Sequence, residues 1–436
     1  MPENPAACPD CDLLQHVPLL PPRGKALCCR CGKVLATNKP GANERTLALA
    51  IGAAIVFVIA NAFPLMGLSA AGREFDTTII GGAWAMWQEG HQLTAALVGL
   101  CAVVAPAGYI VITMVVLIAT RNHRSAPSWV GELLHWVELA REWAMAEVMM
   151  LGILVAMIKI ADFATVIIGV GMFATGALIL LLTAMTINFD PEEIWTQVQW
   201  NAGGARTHSK SPPNYGLPRG REVSAPREPM AMPSGIALCK HCGLLSKLTA
   251  THETSYCSRC SNKLAFRRHE AIQRTWALII AAAICYIPAN IFPVMTSVTI
   301  VGAHEDTIID GVILLYLTGS WHLALIVLIA SVMIPVAKLF ALAYLLITVQ
   351  RSSLKSNRER VQLYRLVEFI GRWSMLDVFV IAFVVALVQL KPLMAAQPRA
   401  GVLFFAAVVV LTIFASQSFD PRLIWDSADS MENRNE

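Results

Sequence analysis

The chain states one pattern twice, and a duplicated membrane pattern leaves few folds open to it. Two Cys-x2-Cys pairs, Cys8/Cys11 and Cys28/Cys31, precede a run of apolar segments, and the arrangement returns with Cys239/Cys242 and Cys257/Cys260. Asn61, Phe63, Pro64 and Met66 recur as Asn290, Phe292, Pro293 and Met295, a constant shift of 229. Thr78-Ile79-Ile80 matches Thr307-Ile308-Ile309 at that shift, as Pro106 matches Pro335. The shift is 230 for Glu138/Glu368, Trp143/Trp373 and Glu147/Asp377, and for Phe189-Asp190-Pro191 against Phe419-Asp420-Pro421. Register kept over so many landmarks marks a duplicated module, each copy joining a cysteine knuckle to a hydrophobic bundle.

Hydrophobic residues make up 56% of the chain and charged residues only 15%. A soluble domain usually carries about 25% charged residues, so the expected class is an all-α polytopic membrane protein. A bilayer span needs roughly 20 apolar residues. About eight segments qualify, near 46–66, 93–120, 145–163, 163–187, 275–295, 323–349, 374–390 and 401–419. The expected fold is therefore a tandem duplication of a zinc-ribbon-like knuckle plus a four-helix transmembrane bundle. Met1–Asn43 is polar and cysteine-bearing, without the apolar core of a cleavable signal.

Charge sets the orientation. Of the 34 lysines and arginines, 29 fall in the two termini, the central soluble segment and the loops on their side. Three lie in the opposite loops (Arg73, Lys391 and Arg399), and Lys159 and Lys338 lie within spans. The positive-inside rule then puts both termini and both knuckles in the cytoplasm. The formal net charge of +4 follows from that topology and from contact with anionic lipid, and nucleic-acid binding is not expected.

A reducing cytoplasm disfavours disulfides and favours metal ligation. The spacings Cys-x2-Cys-x16-Cys-x2-Cys and Cys-x2-Cys-x14-Cys-x2-Cys are those of four-thiolate zinc ribbons. The expected ligands are Cys8, Cys11, Cys28 and Cys31 for one Zn2+ and Cys239, Cys242, Cys257 and Cys260 for a second. Iron in a rubredoxin-like site shares the spacing. His241, inside a pair, reads as a solvated turn residue or a substitute ligand. The domain plan is knuckle 1 (1–45), transmembrane module 1 (46–200), a Pro-rich linker (201–235), knuckle 2 (236–273), transmembrane module 2 (274–425) and a tail (426–436). Within the modules, 128–141 and 358–372 read as amphipathic interfacial helices.

No Walker loop, dinucleotide fingerprint or nucleophile elbow occurs, so no enzymatic activity is expected. Intramembrane polarity remains the pointer to function. Lys338 sits within the apolar 323–349 stretch, where a charge costs about 2.5–3.5 kcal/mol on insertion scales. Ser331 lies two turns earlier on the same face, Asp377 is the natural counter-charge, and Ser374 and Thr412 could complete a polar cluster. Alternatively the Lys338–Asp377 pair only holds the bundle together. Tyr109 stands at the first-copy position of Lys338, so one such site is expected.

The knuckles, Asn290-Ile-Phe-Pro-Val-Met295, Glu305-Asp-Thr-Ile-Ile309, the stretch from Glu368 to Asp377 and Phe419-Asp-Pro-Arg-Leu-Ile-Trp425 resemble the paraquat-inducible protein A family over nearly the whole chain. That resemblance implies a bacterial inner-membrane subunit working beside an MCE-domain periplasmic tunnel protein in phospholipid movement and envelope integrity. It also implies a polar site at Ser331, Lys338, Ser374, Asp377 and Thr412. The residues by themselves leave open a membrane redox enzyme or sensor using the knuckles, and an assembly scaffold.

Overall fold

The computed structural model describes residues 4–70, 73–88, 90, 92–121, 127, 129–144, 150, 152–154, 165–197, 235–248, 255–260, 262–268, 270–299, 302–317, 319, 321–351, 357–371, 389–390 and 394–426. The linker and the expected third and seventh spans lie largely or wholly outside these residues.

Each module opens on a long helix, α1 (Ala42–Ala62) in the first and α8 (Ala271–Ile291) in the second. Their large side chains point outward, with Ile51, Ile55 and Val58 exposed on α1 and Ile280, Ile284 and Ile287 on α8. The inward stripe is small: Ala50, Ala53 and Ala60, and Ala282 and Ala289, are fully buried. Such a helix is turned inside out relative to a soluble one, as expected where lipid is the solvent. The small stripes let α1 pack closely on α6 (Val170–Asn188), and α8 on α13 (Ala400–Ser418). Among the described residues six helical segments are long and apolar enough to cross a membrane. The protein is mostly helical and multi-pass.

The second span of each module contains the same irregularity. In the first, α3 (Gln92–Gly99) passes through one π-helical turn at Leu100–Val104 into α4 (Ala105–Arg121). In the second, α10 (Trp321–Leu328) passes through Ile329–Met333 into α11 (Ile334–Gln350). Pro106 and Pro335 stand two residues past these turns. A proline lacks the N–H of the α-helical ladder, and the wider turn just before it accommodates that break.

The Asn-x-Phe-Pro landmarks have a packing explanation. Pro64 and Pro293 stop the first helix of each module, and their carbonyl oxygens accept hydrogen bonds from the N–H groups of Gly171 (3.0 Å) and Gly401 (3.1 Å) at the start of the last. A Cβ on Gly171 would lie 2.7 Å from the Phe63 oxygen, and one on Gly401 2.6 Å from the Phe292 oxygen, so only glycine fits. Asn61 and Asn290 donate from Nδ2 to the carbonyls four residues back, Phe57 and Tyr286.

Beyond that junction the chain forms strands, which hydropathy did not indicate. Strands β5 (Met66–Ala70), β6 (Arg73–Thr77) and β7 (Thr165–Ile168) make a sheet of order β6-β5-β7 in the first module. The second carries β10 (Met295–Thr299), β11 (Gly302–Asp306), β12 (Gln389–Leu390) and β13 (Met394–Pro398) in the order β11-β10-β13-β12. The registers match: Met66 opposes Thr77 and Ile168, as Met295 opposes Asp306 and Pro398.

The expected interfacial helices are α5 (Trp129–Trp143) and α12 (Asn357–Gly371). They do not simply lie flat, because α5 packs along α4 and α12 along α11. Lys338 is 12 residues from the end of α11, about 18 Å of helix. The last residue of α12, Gly371, nevertheless lies so close that an added Cβ would be 3.0 Å from the Lys338 Nζ. The two helices therefore form an antiparallel hairpin, and α12 brings its end to the depth of the lysine.

Candidate metal centres and the buried lysine

The knuckles are built from short hairpins. Strands β1 (Asn4–Ala7) with β2 (Leu14–Val17), and β3 (Lys25–Leu27) with β4 (Val34–Thr37), carry the first knuckle's pairs in their turns. Strands β8 (Ile236–Leu238) and β9 (Leu245–Lys247) flank the third pair. Each of these turns closes by a hydrogen bond to the first cysteine's carbonyl: Asp12 N to Cys8 O, Gly32 N to Cys28 O and Gly243 N to Cys239 O. The donor has a positive φ in all three, 60°, 71° and 69°, which suits glycine or aspartate in the left-handed region.

That geometry gathers four sulfurs in each knuckle. All ligand atoms within a set lie within 4.8 Å of one another. Sγ–Sγ separations include 3.4 Å for Cys8/Cys31, 3.5 Å for Cys11/Cys28, 3.5 Å for Cys239/Cys260 and 3.4 Å for Cys242/Cys257. A disulfide needs about 2.05 Å. Sulfurs about 2.3 Å from a tetrahedral ion are roughly 3.8 Å apart, so each set could hold a metal ion. The thiols of each set share their protons: hydrogen bonds from Cys11 and Cys8 hold Cys31 below its usual range while Cys11 is raised, and those from Cys239 and Cys242 lower Cys257 while Cys242 is raised. Anionic sulfur is the form that binds metal. Cys29 and the helical Cys101 and Cys285 stand outside both sets.

The knuckles dock crosswise. Cys8, Cys11, Cys28 and Cys31 share a core with Leu345, Val361, Tyr364, Phe419 and Trp425 of the second module. Cys239, Cys242 and Cys257 share one with Val130, Leu134, Phe189 and Trp195 of the first. Polar contacts follow the same exchange. Arg365 on α12 meets Asp10 at 2.7 Å and donates to the Cys31 carbonyl (3.2 Å) and Sγ (3.4 Å). The Arg30 guanidinium lies 4.3 Å over the Trp425 ring. On the other side His241 is half-buried with its ring 4.6 Å from that of His135 on α5, which corrects its reading as a solvated turn residue. The repeated Phe-Asp-Pro-x-x-Ile-Trp landmark thus ends each module in a tryptophan that joins the core of the opposite knuckle.

Between the knuckles Ala7 and Leu14 pack with Ile236 and Leu245, beside a charged network. Arg267 bonds Asp12 at 2.9 Å and Asp426 at 2.6 Å, Arg422 bonds Asp420 at 2.9 Å, and Lys240 reaches Asp420 at 3.2 Å. Burial opposes ionisation of Asp420, but the hydrogen bonds and charge of Arg422, with Lys240, outweigh it and hold the carboxyl below its usual range. For Asp12 burial wins over Arg267 and Arg422, and its carboxyl is raised.

Lys338 is 3% exposed, and its Nζ donates to Thr412 Oγ1 at 3.1 Å. Ser331, fully buried in the π turn, donates back to the Val327 carbonyl at 2.6 Å. Ser374 and Asp377 lie outside the described residues. At the first-copy position, buried Tyr109 instead shares a hydrogen bond with Thr186 Oγ1 at 3.2 Å. The crosswise partners Asp10, Arg365, Arg267 and Arg422 were missed from sequence. The available signal was that the positions of Asp10 and Arg365 both carry histidine in the other copy.

These features define a duplicated multi-pass membrane protein with paired four-cysteine knuckles and, among the described residues, a lysine buried in an apolar helix. The chain belongs to the paraquat-inducible protein A family, whose model matches residues 43–199 and 272–429. It is similar to the intermembrane transport protein PqiA of Escherichia coli K12, at 31% identity over 98% of this chain and 96% of that protein. The lipophilic envelope-spanning tunnel protein A of the same organism is 29% identical over 97% and 91%. A probable intermembrane transport protein of Haemophilus influenzae is 28% identical over 97% and 96%. No solved structure matches.

Proposed function

We propose that this chain is an inner-membrane subunit of an MCE-type intermembrane lipid-transport system. It handles phospholipid in its transmembrane bundle and passes it to or from a periplasmic tunnel protein, supporting envelope integrity. The observation that carries this reading is Lys338: a cation buried in a membrane span beside the Thr412 hydroxyl, with Ser331 two turns away. An amine among hydroxyls can recognise a lipid phosphate, and a charge persists in hydrocarbon only where structure or function requires it. The relatives' names, intermembrane transport protein and envelope-spanning tunnel protein, support the transport class. In this reading Ser374 and Asp377 complete the polar site, each knuckle holds one structural zinc, and both knuckles and both termini face the cytoplasm.

The test separates handling from bundle maintenance. Lys338→Ala and Asp377→Ala should give well-expressed protein that fails to complement envelope-protection defects, and Lys338→Met/Asp377→Leu should fail as well. A pair that only stabilised the bundle would give poorly expressed single mutants, because one charge is left uncompensated, and a restored double mutant. Normal complementation by the double mutant would therefore overturn the site. Lipid analysis of the chain co-purified with its periplasmic partner should show phospholipid.

A further inference from the structure

Helix α12 touches two places that the sequence does not connect. Near its middle, Arg365 is tied to the first knuckle by Asp10, the Cys31 carbonyl and the Cys31 sulfur, and Lys33 joins the same carboxylate at 3.7 Å. One residue earlier, the Tyr364 hydroxyl donates to the Ser416 carbonyl on α13 at 3.2 Å. At its end, Gly371 abuts the Lys338 amine, whose acceptor Thr412 lies one turn from Ser416 on the same helix. From Arg365 to Gly371 is about 9 Å of continuous helix. A rigid helix fixed near its middle by charge-assisted hydrogen bonds and closing over a side chain at its end can transmit a displacement.

We infer that Arg365 is a positioning residue for the Lys338 site, acting through α12, so that the seating of the first knuckle sets how that amine is enclosed. This rests on reading Lys338 as part of the working site. The first module lacks the arrangement. There His135 replaces Arg365, Arg141 replaces the small Gly371 and Tyr109 replaces Lys338, so the knuckle contact, the close approach and the amine change together. A metal ion in the first knuckle would be held by Cys8, Cys11, Cys28 and Cys31, and Asp10 lies within the Cys8–Cys11 turn.

The test is the reactivity of Lys338 toward a membrane-permeable amine-acylating reagent, read by peptide mass spectrometry on the full-length protein in detergent. In the wild type, Lys338 should be protected. Arg365→Ala should raise its labelling about tenfold or more, as loss of charge-assisted hydrogen bonds worth roughly 1.5–3 kcal/mol implies, with metal content and abundance unchanged. Arg365→Lys should restore most of the protection, and His135→Ala should leave it untouched. Gly371→Ala displaces the amine directly and shows that the probe responds. Unchanged labelling in metal-replete Arg365→Ala, with Gly371→Ala responding, would overturn the inference. Labelling does not depend on transport, so normal complementation by Lys338→Met/Asp377→Leu would count against the lipid reading alone.

Discussion

Asp10 and Arg365 meet at 2.7 Å across the two halves of the chain, and their counterparts in the other copy, His241 and His135, meet with ring centroids 4.6 Å apart. The third residue of a Cys-x-x-Cys turn thus faces the same position of the helix hairpin in both copies, but always in the opposite module. Neither half contains the surface on which its own knuckle's cysteines dock.

Severing the chain tests that exchange. Residues 1–215 and 216–436, divided within the Pro-rich linker, should co-purify when co-expressed. Each half alone should accumulate several-fold less, since an undocked knuckle exposes its apolar face and modest losses of stability change abundance by that order. Full abundance of either half alone would refute the exchanged core.

Metal content follows from the two sulfur clusters. Purified protein should contain close to two zinc ions per chain, and Cys239→Ser/Cys242→Ser should contain about one. Iron instead would appear as a red-brown colour. Removing zinc from the first knuckle should lower thermal stability, because structural zinc contributes folding free energy directly.

Gly401 and Gly52 should respond oppositely to alanine. At Gly401 the new Cβ would lie 2.6 Å from the Phe292 oxygen, and overpacking of this kind costs about 1–3 kcal/mol. At Gly52, within α1, no atom lies within 4 Å of the added Cβ, and helical alanine should stabilise by roughly 0.5–1 kcal/mol. Thermal unfolding in detergent measures both, and equal effects would contradict the junction.

Asp420 gives a pH dependence. Its folded carboxyl titrates below the usual range, so the unfolded chain takes up the proton first as pH falls. The stabilisation is fully present above the unfolded value near about 3.9 and is lost below it. Asp420→Asn should cost several kcal/mol at pH 7, since it leaves buried Arg422 with a poorer partner. Its stability gap to wild type should narrow below about pH 4. A gap that did not change with pH would place the contribution outside the carboxylate.

Much of the architecture was legible in the order of residues. The long apolar segments, the recurrence of Pro106 as Pro335, and eight cysteines at ribbon spacing act through local chemistry: segment length, a missing N–H, and the reach of two thiols in one turn. The strands after Met66 and Met295 were not legible, because besides their local hairpins with β6 and β11 each is held in its sheet by β7 or β13, more than 90 residues later. The half-buried state of His241 was missed for the same reason, since it depends on His135 in another module.

The sequence by itself determined the duplication, the membrane class, the two sets of cysteines and the presence of a lysine where hydrocarbon should be. Each is written in composition or in spacings short enough for covalent geometry to enforce. Only the tertiary structure decided which module receives which knuckle, and that α12 brings Gly371 against Lys338. Those outcomes depend on complementary surfaces meeting across hundreds of residues: Asp10 finding Arg365, Trp425 covering the first knuckle, Trp195 the second. Duplicated halves offer similar surfaces in either pairing, so chain order could not choose between them; the side-chain contacts made in three dimensions did.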